Sequence, residues 1–299
     1  MILHPQRMST LKKPESIYVI TCTGDLCSCK IIGECYRGFY SLFIQAMQGI
    51  YFSEKMNMPY YVNFGDKAYC YSDKQMSDAN FWNYYFIQPQ TKPDATVSVL
   101  NFPQEVYPIR IWAKSYFKEI YNEVIHKLVW QPEVHSYLQS QTEFFKKYKV
   151  LGVHIRKTDH SNEIVPVGLE YYFKKIDRQV KHYDKLFVAT DDRQVIQLCQ
   201  TRYPEKLFYL QVQRSEGPNA IHGNSSFDNH YQLGLDALLD SYSLSLCKKS
   251  ILSPSNLSYA ACLFNPQLKY ELMESGQARK QRLKTLLVYY LDRWNVRKW

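Results

Sequence analysis

An α/β architecture, a parallel sheet with helices on both faces, follows from three features of this chain. Short apolar, β-branched runs alternate with stretches of helical periodicity through residues 150–253, the pattern of strand–helix–strand units. Residues 16–63 open in the same way, with a glycine-bearing loop between the first strand and the first helix. The run Val150-Leu151-Gly152-Val153 then turns abruptly polar at His154, Arg156, Lys157 and Asp159. Ligands of open α/β sheets bind at the carboxyl ends of the strands, so this change of character marks a candidate site as well as a strand end.

In chain order, residues 16–22 (SIYVITC) read as a buried strand, and a loop carrying Gly24, Gly33 and Gly38 follows. Residues 39–55 place Leu42, Phe43, Ala46, Met47, Ile50 and Tyr51 at helical spacing, and this helix stops before Pro59. Residues 60–63 predict a second short strand. The three loop glycines do not form the dinucleotide fingerprint. Residues 65–110, rich in Tyr, Asn, Asp and Pro, predict long loops and short helices, the texture of a binding face. Residues 111–128 and 134–148 predict two helices. Beyond Val150, helices are expected over 170–182, 193–203 and 230–247. Strands are expected over 185–189, 208–212 and 250–253, the last of these closing the sheet. The basic, aromatic tail from residue 278 carries Leu283, Leu286, Leu287, Tyr290, Leu291 and Trp294 along one helical stripe. That stripe packs back on the body or lies on a membrane surface.

Composition narrows the partners. With 45% hydrophobic and 22% charged residues, the 299-residue chain is a globular protein and not a disordered one. A net charge of +9 favours anionic partners: a nucleotide diphosphate, an acidic glycan, nucleic acid or a membrane surface. No continuous Lys/Arg tract or interleaved RNA-binding signature is present, so nucleic acid is set aside. The 26 tyrosines suit clefts that stack on sugars or bases, although most of them belong to the core. Cys22, Cys27, Cys29 and Cys35 lack the paired C-x2-C spacing of structural zinc, which predicts reduced thiols and no metal. No stretch approaches the ~18 apolar residues of a membrane span, and residues 1–15 carry no apolar leader core. A cytoplasmic protein is expected, with peripheral contact at the inner membrane face if the tail lies on lipid.

Three pieces of the second half converge at strand ends: His154-x-Arg156-x-x-Asp159, Ala189-Thr190-Asp191-Asp192, and Asp240 with Ser253-Pro254-Ser255-Asn256. Arg156 offers a planar fork to phosphate oxygens. A Ser/Asn turn opening a helix offers hydroxyls and backbone N–H groups to the same anion. Between them they would grip a diphosphate. A helical carboxylate such as Asp240 is able to accept two N–H bonds from a purine edge, most naturally guanine.

With these residues assembled, the sequence resembles the fucosyltransferase superfamily, in particular the α1,6 and nodulation fucosyltransferases, and more distantly the α1,2 and protein O-fucosyltransferases. The likeness is carried by His154-Ile155-Arg156-Lys157-Thr158-Asp159, Val188-Ala189-Thr190-Asp191-Asp192, and Leu239-Asp240 with Ser253-Pro254-Ser255-Asn256. Gly38-Phe39-Tyr40 resembles the family's glycine loop, and the segment from Asn80 to Phe86 an aromatic stretch of bacterial members. The resemblance implies a GT-B architecture, two Rossmann-like domains facing across a cleft. Residues 1–148 would form the acceptor-side domain, 149–275 the nucleotide-sugar domain, and 276–299 a basic helix packing back on the body.

The implied activity is inverting, metal-independent transfer of fucose from GDP-fucose to a glycan hydroxyl, with no cofactor. Arg156 would bind the β-phosphate and stabilise the leaving GDP. Asp240 and the backbone near His154 would read guanine. Ser255 and Asn256 would hold phosphate oxygens, with Gly38, Asp191 and Ser253 on the same nucleotide-binding side. Trp82, Tyr84 and Tyr85 would line the acceptor or sugar. The general base would be Glu163, with Asp159 competing for that role or orienting Arg156. Two departures from the family stand out: Lys157 replaces a second arginine, and His160 replaces a lysine. They leave open another GDP-sugar, another nucleotide, or a catalytically silent glycan- or nucleotide-binding protein.

Overall fold

The structure, a computed structural model, describes residues 16–22, 34–93, 98–100, 110–157, 167–216 and 229–294. Four of the five residues of strand β1 (Ser16–Ile20) are buried, as a β-branched and aromatic run requires. After β2 (Glu34–Cys35) comes α1 (Phe39–Lys55), with the bounds its periodicity predicts, then β3 (Tyr60–Val62). Short strands β4 (Ala68–Tyr69), β5 (Phe86–Ile87) and β6 (Ser98–Leu100) follow, then α2 (Lys114–Glu123), β7 (Val129–Trp130) and α3 (Pro132–Lys146). Pro132 opens α3, where its missing N–H costs nothing. β1 lies between β3 and β6 in a parallel three-stranded sheet.

The second half forms the larger sheet. β8 (Val150–Ile155), with all six residues buried, leads to α4 (Leu169–Gln179), β9 (Lys185–Thr190), α5 (Arg193–Arg202) and β10 (Leu207–Phe208). The chain continues through α6 (His230–Leu246), β11 (Lys249–Leu252), α7 (Asn256–Phe264), β12 (Tyr270–Leu272) and α8 (Gly276–Arg293). All five strands are parallel, in the order β10-β9-β8-β11-β12. From β8 the chain steps outward one way through β9 and β10, and from β11 the other way to β12. The crevice at the carboxyl ends of β8 and β11 is therefore the topological switch point.

β12 escapes sequence reasoning because its three half-buried residues centre on a charge, Glu271, which pairs with Lys175 (2.9 Å) and Lys249. β10 is shorter than expected, two residues instead of five. Trp82, Tyr84 and Tyr85 line no open face. At 3%, 4% and 0% exposure they belong to an aromatic core in which Trp82 stacks on Phe86 at 4.1 Å. One cluster of buried residues runs from β1 and α1 through these rings to α6 and α7.

α8 contacts α2: Arg293 bonds Glu119 (2.6 Å), and Tyr289 meets Tyr116 edge-on at 5.8 Å. Leu283, Leu287 and Trp294 of the predicted stripe stay exposed, while Tyr290 of the same stripe meets Ser115 of α2 at 3.4 Å, so one flank of the stripe makes the contact. Among the described residues, no helix is long and apolar enough to cross a membrane.

Candidate functional site

At the exit of β8 the chain is held by Ser253. Its hydroxyl donates to the His154 carbonyl (3.1 Å), accepts from the Arg156 backbone N–H (3.0 Å) and meets the Tyr172 hydroxyl at 2.7 Å. One proton and two lone pairs are all a serine hydroxyl has, so Ser253 has no capacity left for a phosphate. It acts on the site by fixing where Arg156 begins. The His154 carbonyl, which also accepts from the Ser253 backbone N–H (3.0 Å), is likewise saturated. The His154 side chain is buried, and its Nδ1 meets Ser258 Oγ at 2.7 Å and Ser255 Oγ at 3.4 Å. His154 therefore ties β8 to α7.

Asp191 performs a similar task from the end of β9. Its carboxylate accepts from the Lys157 backbone N–H (3.0 Å), while Asp192 pairs with Lys157 Nζ (3.2 Å) and caps α5 through the Gln194 N–H (2.7 Å). The half-buried Arg156 is thus held between two anchored neighbours. Asp159 and Glu163 lie outside the described residues.

The turn after β11 opens α7 as predicted. Ser255 is the N-cap, accepting from the Ser258 N–H (3.2 Å), and Asn256 begins the first turn. A capped helix N-terminus at the switch point presents a positive dipole end toward the crevice. Arg110, which the sequence analysis passed over, adds a second guanidinium here and donates to the Pro254 carbonyl (3.1 Å). No motif announces a partner 144 residues away in sequence.

Asp240 lies one turn beyond Asp236 on the inner side of α6, 6% exposed, and its Oδ1 has no hydrogen-bond partner among the described residues. Burial pushes its carboxyl up to about 8, the Arg214 guanidinium pulls it down, and Asp236 raises it further. Gln213 Oε1 and Arg214 Nε are also buried and unpartnered among the described residues, as is the Tyr40 hydroxyl. Arg214 is otherwise anchored, donating to the carbonyls of Val212 (3.1 Å) and Leu210 (2.8 Å). Ser241, next to Asp240, donates to the Leu257 carbonyl in α7 (3.0 Å), which links this buried group to the switch-point turn.

Gly38 supplies the other approach. As N-cap of α1 it accepts from the Ser41 N–H (2.9 Å), and Arg37 beside it braces the helix start through Ser41 Oγ (3.0 Å). Two residues on, Tyr40 reaches α6, where burial raises the pKa of its hydroxyl well above the usual tyrosine range, Ser241 lowers it in part and Asp240 adds a smaller upward push. The structure thus brings together Arg156, Asp191, Ser253, Ser255 and His154 at one sheet edge, with Asp240 joined to them through Ser241. A hollow lined by Lys147, Lys149, Lys248 and Lys269 opens at the opposite edge, where the strands begin, and has neither the turn nor the buried carboxylate. Among the described residues no group of three or more His, Cys, Asp or Glu side chains is arranged to hold a metal ion. Cys199, Cys247 and Cys262 are buried free thiols.

Several solved structures share this mixed α/β fold with its parallel sheets. An alpha-1,6-fucosyltransferase, NodZ, soaked with GDP-fucose, superposes with a TM-score of 0.54 at 16% identity, over 88% of this chain and 97% of that one. NodZ co-crystallized with GDP gives 0.52 at 15% identity, over 87% and 96% of the two chains. Se-Met fucosyltransferase NodZ from Bradyrhizobium gives 0.53 at 15% identity, over 88% and 97%. The likeness is one of fold. No protein-family model matches the sequence, and no curated protein matches it.

Proposed function

We propose that this protein is a glycosyltransferase that moves fucose from GDP-fucose to a hydroxyl of an oligo- or polysaccharide acceptor, with inversion and without a metal. The observation that carries the reading is the pairing, at one switch point, of an anion site with a buried carboxylate oxygen that lacks a partner among the described residues. Arg156 and the N-terminus of α7 form the anion site, and Asp240 supplies the carboxylate. A nucleoside diphosphate has both matching ends. The GDP and GDP-fucose complexes of the NodZ structures, which have the same fold, support guanosine as the nucleoside.

In this reading residues 149–275 hold the donor, and the half that begins at β1 presents the acceptor across a GT-B cleft. Arg156 and the α7 N-terminus neutralise the charge that grows on the diphosphate as the bond from the sugar C1 to the phosphate oxygen breaks. This electrostatic role is served by groups already in place before reaction. The acceptor oxygen attacks C1 from the opposite face, and Glu163 takes its proton. The electron pair of the broken bond leaves on GDP. Asp159 orients Arg156.

Thermal unfolding with millimolar GDP, UDP, ADP or CMP, and with none, tests the donor assignment. A ligand at about 100 times its dissociation constant stabilises by roughly 2.7 kcal/mol. GDP is expected to raise the midpoint by several degrees in metal-free buffer, and the other nucleotides much less. A shift with UDP in place of GDP would keep a nucleotide-sugar transferase and discard fucose. No shift with any nucleotide would overturn the reading.

A further inference from the structure

Helix α8 is inverted relative to an ordinary surface helix. At 3.6 residues per turn, Leu283, Leu287 and Trp294 share an arc of about 40°, and they stand 50%, 60% and 69% exposed. Trp294 follows the last residue of α8, but its N–H bonds the Tyr290 carbonyl (3.0 Å), which keeps it on the helical path. A surface helix normally turns such a stripe to the core and its charges to water. Toward α2, α8 instead presents Tyr289 and Arg293, the latter neutralised by Glu119. Arg282 is neutralised in the same way, by Glu274 (2.7 Å). The cations beside the apolar arc differ. Lys280 and Lys284 flank it on one side and Arg279 on the other, all three exposed and without an ion-pair partner among the described residues.

We propose that this face of α8 docks the protein on an anionic lipid surface. The proposal is independent of the nucleotide-sugar reading above. A continuous apolar stripe left in water calls for an apolar occupant, and the unpaired cations on both of its flanks call for anions. A bilayer with anionic headgroups supplies both, at matching depths. Leu283 and Leu287 reach the acyl boundary, and the Trp294 indole, apolar with one N–H donor, suits the interface between tails and headgroups. The long stems of Lys280, Lys284 and Arg279 lie along the apolar layer while their charged ends stay among the phosphates. A second copy of this chain matches less well. No acidic residue falls on the arc, so two α8 faces laid together would set these cations against like charges. The net charge of +9 adds attraction at longer range to the same lipid surface.

Flotation of the full chain with vesicles tests this, one set made of phosphatidylcholine alone and another of equal parts phosphatidylcholine and phosphatidylglycerol. The protein is expected to float with the anionic set at low salt and to stay behind with the neutral set. Changing Lys280→Glu and Lys284→Glu together should weaken anionic binding by about tenfold or more. Changing Leu283→Ser and Leu287→Ser together should cost about as much while every charge is kept, which separates docking through α8 from attraction by net charge. All four side chains are exposed, so both variants should melt with the wild-type protein. Lys147→Glu with Lys248→Glu, in the hollow where the strands begin, alters net charge equally and should cost only a few-fold. Wild-type protein that ignores anionic vesicles would overturn the proposal, and that comparison needs no variant to fold. So would a leucine pair that floats like wild type, or a hollow pair that loses as much as the α8 lysines. A wild-type dimer that the leucine pair dissociates, with no flotation of either, would assign the face to a second copy and overturn the proposal as well.

Discussion

Arg156 and Ser253 divide the work at the end of β8, and their variants should fail differently. Arg156 has a half-buried guanidinium whose backbone N–H is fixed at 3.0 Å to Ser253. Arg156→Ala is expected to leave the unliganded melting temperature near wild type, to abolish the GDP-induced shift, and to lower turnover by about 10²–10³, the usual cost of removing a preorganised donor to developing charge. Arg156→Lys should recover only part of this, because a point charge replaces a planar fork. Glu163→Gln, by contrast, should keep the GDP shift and lose transfer. If transfer survives, the proton goes elsewhere. Ser253→Ala removes a hydroxyl that joins Arg156, Tyr172 and the His154 carbonyl, so its cost falls on folding first. These roles were unequally legible. The residue types at the strand end pointed to an anion, but saturation of the Ser253 hydroxyl and the His154 carbonyl is set by neighbours about a hundred positions away.

Helix α6 carries the clearest constraint at the level of elements. Tyr85 donates to the Tyr231 carbonyl (2.8 Å) and stacks on the Tyr231 ring at 5.5 Å, nearly parallel, which locks the first half of the chain against α6. A Cβ on Gly234 would stand 2.2 Å from the Tyr85 hydroxyl oxygen, and Tyr85 is fully buried and unable to yield. Helix propensity favours alanine over glycine by about 1 kcal/mol. Overpacking, typically 1–3 kcal/mol, nevertheless decides the sign here. Gly234→Ala is therefore expected to lower the melting midpoint by up to about 3 °C, and Tyr85→Phe in the same background should restore little, since the ring carbon lies only 2.8 Å away. A midpoint unchanged or raised would show that the two halves pack differently.

The elements whose own periodicity reveals them, α1 and β8, were readable because burial recurs within one segment. β12 and the aromatic run from Phe81 to Phe86 were not. The first is too short and too charged to display a period, and in the second tyrosines that suit a sugar cleft turn inward to fill the core. Gln213 and Arg214 lie in irregular chain between β10 and α6, where no period distinguishes a half-buried residue from a solvated one.

Across the whole molecule, Asp240 owes its environment to parts of the chain that meet only on folding. Tyr40 comes from the first half, Arg214 from the segment before α6, and Asp236 from the preceding turn of the same helix. Burial outweighs the attraction of Arg214 and holds the carboxyl up to about 8, while in the unfolded chain it titrates near 3.9. Between those values the folded protein binds a proton that the unfolded chain has released, so this group's contribution to stability falls as pH rises from about 4 to about 8 and then levels off. Carboxylates such as Asp177, held down by Arg202, and Glu271, held down by Lys175 and Lys249, act in the opposite sense, losing stability only as pH falls through the acid range. Denaturant midpoints measured at pH 5.5, 7 and 8.5 should therefore decline, and Asp240→Asn should flatten most of that decline. GDP adds a second sign. A guanine N1–H needs the ionised carboxylate, so binding expels the proton, and GDP affinity should rise with pH toward 8 by at most about tenfold per unit. The same titration run in buffers of different ionisation enthalpy should report close to one proton released near pH 7, and none for Asp240→Asn. Affinity that is flat with pH, with no proton released, would mean that Asp240 does not face the base.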